Sequence, residues 1–325
     1  MDMHTKEGKS YWRKRVKKEM EAKDKKDVSL GKSMKQIHDY HFREIEKEIE
    51  IESFYQRYAD KEAIDLKLAK KAVSDVDINA YQKKAKELVA RANEMRKEGI
   101  KVTKANFTHQ ENIDMAVYNL KMKVNALELL QLNIDLAMQN LSEDEYKATK
   151  RFLEDGFEEE LKFQSGLLGT SVSSQNDIKN LAKATINANF KGATWSENIW
   201  QRQDDLRKIV KEEVYKAVTK GDNAIKLSNK LKKEFEVSDS YARRLAITEH
   251  ARVQMEVSKI SIEDNGFNGF EILPEPSACS ICKGIASDGP YPMEKWDTGN
   301  TAPPFHPHCR CAVVGEDIEH KKGKK

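Results

Sequence analysis

The residues of this 325-residue chain that are best suited to chemistry lie close together near its carboxyl end. All four cysteines and two of the eight histidines fall within positions 279–311: Cys279, Cys282, His306, His308, Cys309 and Cys311. Thiolate and imidazole groups are the usual protein ligands of Zn²⁺, which takes four of them in a tetrahedron in structural sites. Cysteines that serve only as small core residues would be scattered. The spacing therefore predicts a metal site.

The cluster offers more donors than one zinc ion needs. Three thiols are predicted as ligands from their spacing: Cys279, Cys282 and Cys309. The fourth ligand is His306 or Cys311, with His308 in reserve. Residues two apart on an extended strand lie about 6.5 Å from each other, so the chain must bend before Cys309 and Cys311 reach one ion. Four filled positions make a closed, structural site that folds a small, Pro-rich segment.

Other uses of the thiols stay open at this point. They could be unligated, or paired as disulfides in an extracellular particle. The chain begins with polar, Lys-rich sequence and no apolar signal segment, so we expect a cytoplasm in which thiols are reduced. A nucleophilic Cys–His pair is a third reading, but no thiol has an evident activating base.

A helix-forming stretch upstream carries a second set of reactive groups: Arg243, Arg244, Thr248, Glu249, His250 and Arg252. A metal-dependent nuclease or toxin-like enzyme could use such a set. Mixed charges on one helix are more often an ion-paired or solvated face. We therefore predict no catalytic residues and no enzyme, with the nuclease as the less favoured alternative.

The elements that must position these groups are mostly helices. All seven prolines lie between Pro274 and Pro307, so no proline interrupts the preceding sequence. Apolar residues recur at three- and four-residue steps over residues 37–55 and again over 113–134. No apolar run approaches the roughly 20 residues needed to span a bilayer. These patterns predict long amphipathic helices that provide docking faces.

Local signals place the element boundaries. Residues 142–145 form a capping-box pattern and residues 238–240 a second N-cap, and each predicts the start of a new helix. The small and polar residues 166–174 predict a break between two helical layers. Residues 270–273 and 312–314 predict a pair of short strands around the cysteine cluster.

The first 35 residues are basic, with twelve Lys or Arg against six Asp or Glu. Tyr11 and Trp12 are their only aromatic residues. We expect these rings to dock on a neighbouring element, and a nucleic-acid-contacting arm is the alternative. The net charge of +3 is too small to indicate nucleic-acid binding by itself.

Together the motifs resemble the phage minor head proteins, the head morphogenesis proteins similar to protein F of phage Mu. The positions that match are Arg243, Ala246, Thr248, Glu249, Cys279, Cys282, Asp288, Gly289, Pro303, Pro304 and residues 306–311. Ile247 stands where the family often has Arg. His308 stands where the family has a small polar residue such as Asn, which favours His306 as the ligand. Tyr11 and Trp12 are also similar to the start of minor head proteins from phages of Gram-positive bacteria.

This resemblance implies a minor virion protein that is made in the bacterial cytoplasm and recruited into the procapsid through the portal protein. It also implies contacts with major capsid or scaffolding proteins, a place at the portal vertex of the head, and a role in DNA packaging or ejection with packaged DNA as a partner. No membrane is implied. The alternative is a zinc-stabilised nucleic-acid-binding protein unrelated to capsids.

We therefore predict a mainly α protein with long amphipathic helices N-terminally and a small α+β C-terminal domain stabilised by zinc. The predicted domains are a basic arm (1–35), a long-helical region (36–165), a Mu F-like domain (175–316) with the Cys/His cluster at 279–311, and a Lys-rich tail (317–325).

Overall fold

The computed structural model describes residues 5–59, 78–168, 175–220 and 224–318. It is mainly helical with a small sheet near the carboxyl end, as predicted. The helices are α1 (Lys6–Ala59), α2 (Ile78–Lys97), α3 (His109–Leu168), α4 (Gln175–Ile186), α5 (Trp195–Lys220), α6 (Ala224–Asp264) and α7 (Ser280–Ser287). The strands are β1 (Gly269–Leu273), β2 (Tyr291–Pro292) and β3 (Ala312–Glu316). None of the helices in these ranges combines the length and apolar character needed to cross a bilayer.

Two of the predicted helix starts are wrong, because α3 and α6 run through them without a break. Ser142 is buried within α3, and Glu145 bonds to neighbouring helices instead of capping. In α6, Ser238 and Asp239 are buried, and Asp239 pairs with Arg243 one turn later at 3.0 Å. Tertiary burial of these faces outweighs the local capping signals, and no proline is present to stop either helix.

The chain divides into two compact units, each assembled from separate stretches. The first unit combines residues 1–40, 140–206 and 234–325, and the second combines 41–139 and 207–233. Four of the helices contribute residues to both units. The domain boundaries read from composition stay a prediction.

The second unit has polar links between its own stretches. Asn133 of α3 donates to Glu48 of α1 at 2.8 Å, and Lys211 of α5 lies 2.6 Å from Asp135 of α3. The apolar residues buried in this unit include Ile45, Ile49, Leu130, Ile134, Met138, Val210 and Val214. The part of the apolar stripe of α3 whose side chains are described is therefore buried in the core of this unit. It lies next to α1, as the spacing of the stripe predicted.

The helical core of the first unit is centred on Trp195. Its ring is almost fully buried and stacks on Tyr146 with centroids 5.0 Å apart. The residues that pack around it belong to three helices: Leu153, Phe157, Ile199, Val253 and Val257. Burying large side chains of this kind stabilises the fold by about 1.5–3 kcal/mol each.

The sheet of the first unit has the order β2-β1-β3 with antiparallel pairing throughout. Ile272 of β1 lies opposite Val313 of β3, and both face a core that also contains Phe270. Cys282, Cys309 and Cys311 belong to the same core cluster, so the sheet supports the cysteine-rich segment directly.

The start of α1 docks on this sheet. Val16 and Met20 are buried against Leu273 and Ala312, and Trp12 packs against the same cluster. Arg13 forms an ion pair with Glu271 on β1, and Lys9 pairs with Glu316 and Asp317 at the end of β3. Trp12 therefore has the docking role that was expected of it. The same expectation is wrong for Tyr11, which is exposed, because neighbouring residues of a helix point about 100° apart.

Candidate metal centre

The first half of the site is built at the start of α7. Cys279 occupies the N-cap position of this short helix, and Cys282 lies in its first turn. The backbone N–H of Cys282 points at the Cys279 sulfur and lowers the pKa of that thiol. The Cys-x-x-Cys turn therefore directs two sulfurs to one side of the helix start, one exposed and one buried.

The second half comes from the segment that leads into β3. The backbone N–H of Cys309 donates to the His306 carbonyl at 3.1 Å, which closes a turn. Cys311 immediately precedes β3, whose pairing with β1 fixes its position. The turn ends at Cys309, and the sulfurs of Cys309 and Cys311 lie within 4.8 Å of each other, closer than the roughly 6.5 Å expected of a fully extended chain.

The two halves meet around the Cys282 sulfur. The ligand atoms of Cys279, Cys282 and His306 lie within 4.8 Å of one another, and so do those of Cys282, Cys309 and Cys311. The Cys282 and Cys309 sulfurs are 3.8 Å apart. Sulfurs that bind one zinc ion at about 2.3 Å are also about 3.8 Å apart in a tetrahedron. The donor set and this spacing fit a tetrahedral metal ion.

His306 is oriented as a ligand through its Nε2 atom. Nε2 lies 3.3 Å from the Cys279 sulfur and 3.1 Å from the Cys282 sulfur. On the other side of the ring, Nδ1 lies 2.8 Å from the Pro307 carbonyl, a hydrogen bond that raises the pKa of the imidazole. Metal-binding histidines usually donate their second nitrogen in this way, which leaves the first with a free lone pair.

The thiols also affect one another electrostatically. A hydrogen bond from Cys311 lowers the pKa of Cys309 to about 5, against the effect of burial. Burial and the neighbouring charge of Cys309 raise the pKa of Cys282 to about 12. Among the three buried thiols Cys282, Cys309 and Cys311, a negative charge on Cys309 thus disfavours a second one, and a bound cation would reverse this by stabilising every thiolate. All five predicted site residues are brought together, although their binding of a metal stays a prediction.

His308 is placed differently from the other candidates. Its side chain is exposed and belongs to neither group of ligand atoms, while its backbone N–H lies 3.3 Å from Thr248 Oγ1. Its φ of 62° is in the left-handed region, where Asn is better tolerated than most residues. The small polar residue that the family has at this position is therefore explained by the backbone conformation and not by metal binding.

We expect His308→Asn to raise the free energy of unfolding by about 0.5 kcal/mol, because the short Asn side chain can hydrogen-bond to the nearby backbone in the left-handed region. Chemical denaturation of the full chain measures the change. Metal content should equal that of the parent chain, whereas the paired variant His306→Asn should lose metal. Loss of metal from His308→Asn would contradict this placement.

Arg310 has a role that the sequence did not reveal. Its side chain is buried, forms a two-point ion pair with Asp27 of α1 and contacts His250 of α6, with both Nη atoms 3.3 Å from Nδ1. Burial, together with the charge of Arg310, holds the pKa of His250 well below its usual value, so the ring is neutral. The motif residue between the two cysteines thus joins three elements of the first unit.

The other residues singled out on α6 also make structural contacts. Arg252 is buried, pairs with Glu249 at 2.7 Å and donates to the carbonyls of Thr185 and Ile186 at 2.9 and 3.0 Å. Those carbonyls end α4, so the guanidinium satisfies groups that a helix end leaves without partners. Thr248 donates to the Arg244 carbonyl within α6.

His250 packs face to face with Phe152 at 4.1 Å and directly against Gly156 of α3. A Cβ atom at Gly156 would lie 2.1 Å from two ring atoms of His250. We therefore expect Gly156→Ala to lower the free energy of unfolding by about 1–3 kcal/mol through overpacking. Alanine at a helix-interior glycine otherwise stabilises by about 0.5–1 kcal/mol.

The control for this prediction is Gly166→Ala in the same helix. Its added Cβ would meet only Arg15 Nη2, at 3.9 Å, so the variant should be neutral or slightly stabilising. Denaturant midpoints of both variants test the contrast. Equal stability of Gly156→Ala and the parent would show that His250 can move aside.

The fold and the site together describe a helical protein whose carboxyl-terminal segment contains a Cys/His cluster that could hold a metal ion. Residues 208–314 match the family described as Phage Mu protein F like protein, which confirms the resemblance carried by the motifs. The match runs from within α5 to β3 and contains the whole cluster. Searches of curated proteins and of solved structures found no match to this chain.

Proposed function

We propose that this chain is a minor capsid protein of a tailed phage or prophage that acts in head morphogenesis and associates with the portal protein. The observation that carries the proposal is that residues 208–314 match the Mu F-like family and include the complete Cys/His cluster. The helices supply the docking faces, and the protein resides in the virion at the portal vertex. Contacts with capsid or scaffolding proteins follow from this location.

The proposed role is structural and not enzymatic. Glu249 is paired with Arg252, and the neutral His250 is enclosed between Phe152 and Arg310. A general base needs access to substrate, and both side chains are buried. These contacts support a packing role for the residues that first suggested a nuclease.

Co-expression with the portal protein from the same gene neighbourhood tests the proposal. We expect the two to co-purify in a stable complex, and we expect the chain to be detected by mass spectrometry in purified procapsids and virions. A chain with Leu132→Ser and Leu136→Ser, two exposed apolar positions on α3, shows whether that surface contributes. Absence from procapsids together with no portal complex would refute the proposal.

We further propose that the cluster holds one structural Zn²⁺ through Cys279, Cys282, His306 and Cys309. The support is the orientation of His306, whose Nε2 faces two of the thiols while its Nδ1 is held by a backbone carbonyl. The ion would supply a closed tetrahedral centre that crosslinks α7 to the segment before β3. Cys311 would remain beside the site as a hydrogen-bond partner of Cys309.

Two variants distinguish the fourth ligand. His306→Asn should lose most of its zinc affinity, whereas Cys311→Ser should retain one equivalent of zinc. Elemental analysis of the purified proteins measures content, and the sulfur-to-metal bands after Co²⁺ substitution report the number of thiolates. Loss of metal from Cys311→Ser with retention in His306→Asn would reverse the assignment, and no metal in the parent chain would refute the site.

A contact with packaged DNA is a second candidate role, favoured by one face of α1. Lys14, Lys18, Lys25 and Lys32 are exposed and follow one another at four- and seven-residue steps, so they share a side of the helix. No ion pair involves them among the residues that the structure describes. Cations arranged in this way suit the phosphate backbone of DNA.

This role predicts DNA binding that weakens steeply with salt. Replacing Lys14, Lys18 and Lys25 with Gln should weaken binding and reduce the salt slope by about 3. The control replaces Lys147, Lys150 and Lys162, which are exposed but paired with acids one turn away. Equal loss in both triple variants, or no binding by the parent, would exclude the α1 face.

A further inference from the structure

Arg310 lies between two cysteines of the cluster, but its side chain points away from them. Neighbouring residues of an extended segment face opposite sides, so Cys309 and Cys311 face the site while Arg310 faces the helices. There it forms a two-point ion pair with Asp27, and it contacts His250. The side chain of Arg310 therefore attaches the backbone between Cys309 and Cys311 to α1 and α6.

The Asp27–Arg310 pair is buried on both sides, with each side chain less than a tenth exposed. A buried pair of this kind is costly to break, because the partner left behind is a charge without solvent. Its two-point geometry also fixes the guanidinium plane, which a single contact would not do. The side chain of Arg310 is thus held to α1 at two points.

The surrounding contacts hold Asp27 in place. Val16 and Met20, on the preceding turns of α1, are buried against Leu273 and Ala312 at the ends of β1 and β3. Ala312 follows Cys311 directly in the chain. The start of α1 consequently packs against the strand residue that directly follows the metal-binding segment.

We propose that Asp27 is a positioning residue of the metal site, which acts through Arg310 to hold the ligand Cys309, and its hydrogen-bond partner Cys311, in place. This inference rests on the proposed metal site. Docking of α1 and binding of the metal are then coupled, and each strengthens the other by the same factor. The α1 contact lies outside residues 208–314, so the family match omits part of what organises its own cluster.

Zinc affinity of the full chain, measured by competition with a chromophoric chelator, tests the inference. Asp27→Asn should weaken zinc binding about tenfold, the usual cost of losing a residue that orients ligands. Asp27→Glu, which keeps the carboxylate, should recover part of the loss. After Co²⁺ substitution, Asp27→Asn should also shift the ligand-field bands, because the cysteine geometry is less well defined.

The matched control is Asp39→Asn, the same change of residue type on the same helix. It breaks an exposed ion pair within α1, with Lys35 at 3.0 Å. Zinc affinity and the Co²⁺ spectrum of this variant should equal those of the parent. A parent-like affinity and spectrum in Asp27→Asn would overturn the inference while leaving the metal site intact, and a parent chain that binds no zinc would overturn both.

A second measurement needs no substitution. It therefore tests the inference even in the case that Asp27→Asn does not fold. Hydrogen exchange is followed in the parent chain with and without a zinc chelator. Coupling predicts faster exchange in residues 12–30 of α1 after chelation, with little change in residues 195–206 of α5. Exchange in α1 that does not respond to the metal would overturn the inference.

Discussion

Replacing Cys282 with serine is expected to abolish stable metal binding and to unfold the segment from β1 to β3. Cys282 is the only thiol that belongs to both groups of ligand atoms, and its side chain is fully buried. A hydroxyl is a poor substitute for thiolate at a zinc site, and here it would also be buried among apolar residues. Structural zinc contributes about 10–16 kcal/mol of binding free energy to small domains, so the loss should be large.

Elemental analysis and hydrogen exchange over residues 269–316 measure this effect. The control is Ile281→Ser, which changes an exposed residue between the two cysteines and should leave metal content unchanged. A strong chelator applied to the parent chain should reproduce the Cys282→Ser result. One full equivalent of zinc and parent-like exchange in Cys282→Ser would contradict the prediction.

Replacing Glu145 with glutamine should have the next largest effect, about 3 kcal/mol of lost unfolding free energy. Glu145 is fully buried in α3, where it pairs with Arg202, accepts from Gln203 Nε2 at 2.5 Å and lies 3.4 Å from His38 Nε2. The variant leaves the Arg202 charge largely buried and without its partner. We place the loss at the low end of the range for buried pairs because Arg202 keeps some exposure.

The comparison variant is Glu143→Gln, two residues earlier in the same helix. Glu143 forms an exposed pair with Lys147, so its replacement should cost at most about 0.5 kcal/mol. Denaturant unfolding at neutral pH measures both. A Glu145→Gln variant as stable as Glu143→Gln would show that the buried pair contributes little.

Acid should remove the difference between the parent and Glu145→Gln. Burial by itself raises the pKa of Glu145, but the contacts with His38 and Arg202 outweigh it and the pKa is lowered. A carboxyl with a lowered pKa stabilises the folded state fully above its unfolded value of about 4.5, and this is lost as pH falls through the folded pKa. The two unfolding curves should therefore converge as pH drops below about 4.5.

The site depends on residues that are distant in sequence. Asp27 and Arg310 are separated by most of the chain, yet their ion pair links α1 to the cysteine segment. Arg252 likewise binds the end of α4, more than sixty residues earlier. From composition alone, these charged residues would be expected on the surface. In the first unit they are buried and join elements that are distant in sequence.

Residue patterns alone predict the helical class, the strand pair around the cysteines, the resemblance to the Mu F-like family over residues 208–314 and the five residues that meet at the cluster. These follow from short-range signals: apolar periodicity, proline placement and the spacing of ligand types. The family pattern, which has a small polar residue at position 308, likewise favours His306 over His308.

The continuation of α3 and α6 and the contacts of Arg310, His250 and Glu145 follow from tertiary packing. A capping pattern describes one turn of chain, whereas burial of Glu145 depends on Arg202 and Gln203 of another helix. A Cβ atom at Gly156 would clash because the ring of His250 packs against this glycine. These contacts depend on packing between segments that are distant in sequence. The spacing of residues along the chain therefore cannot predict them.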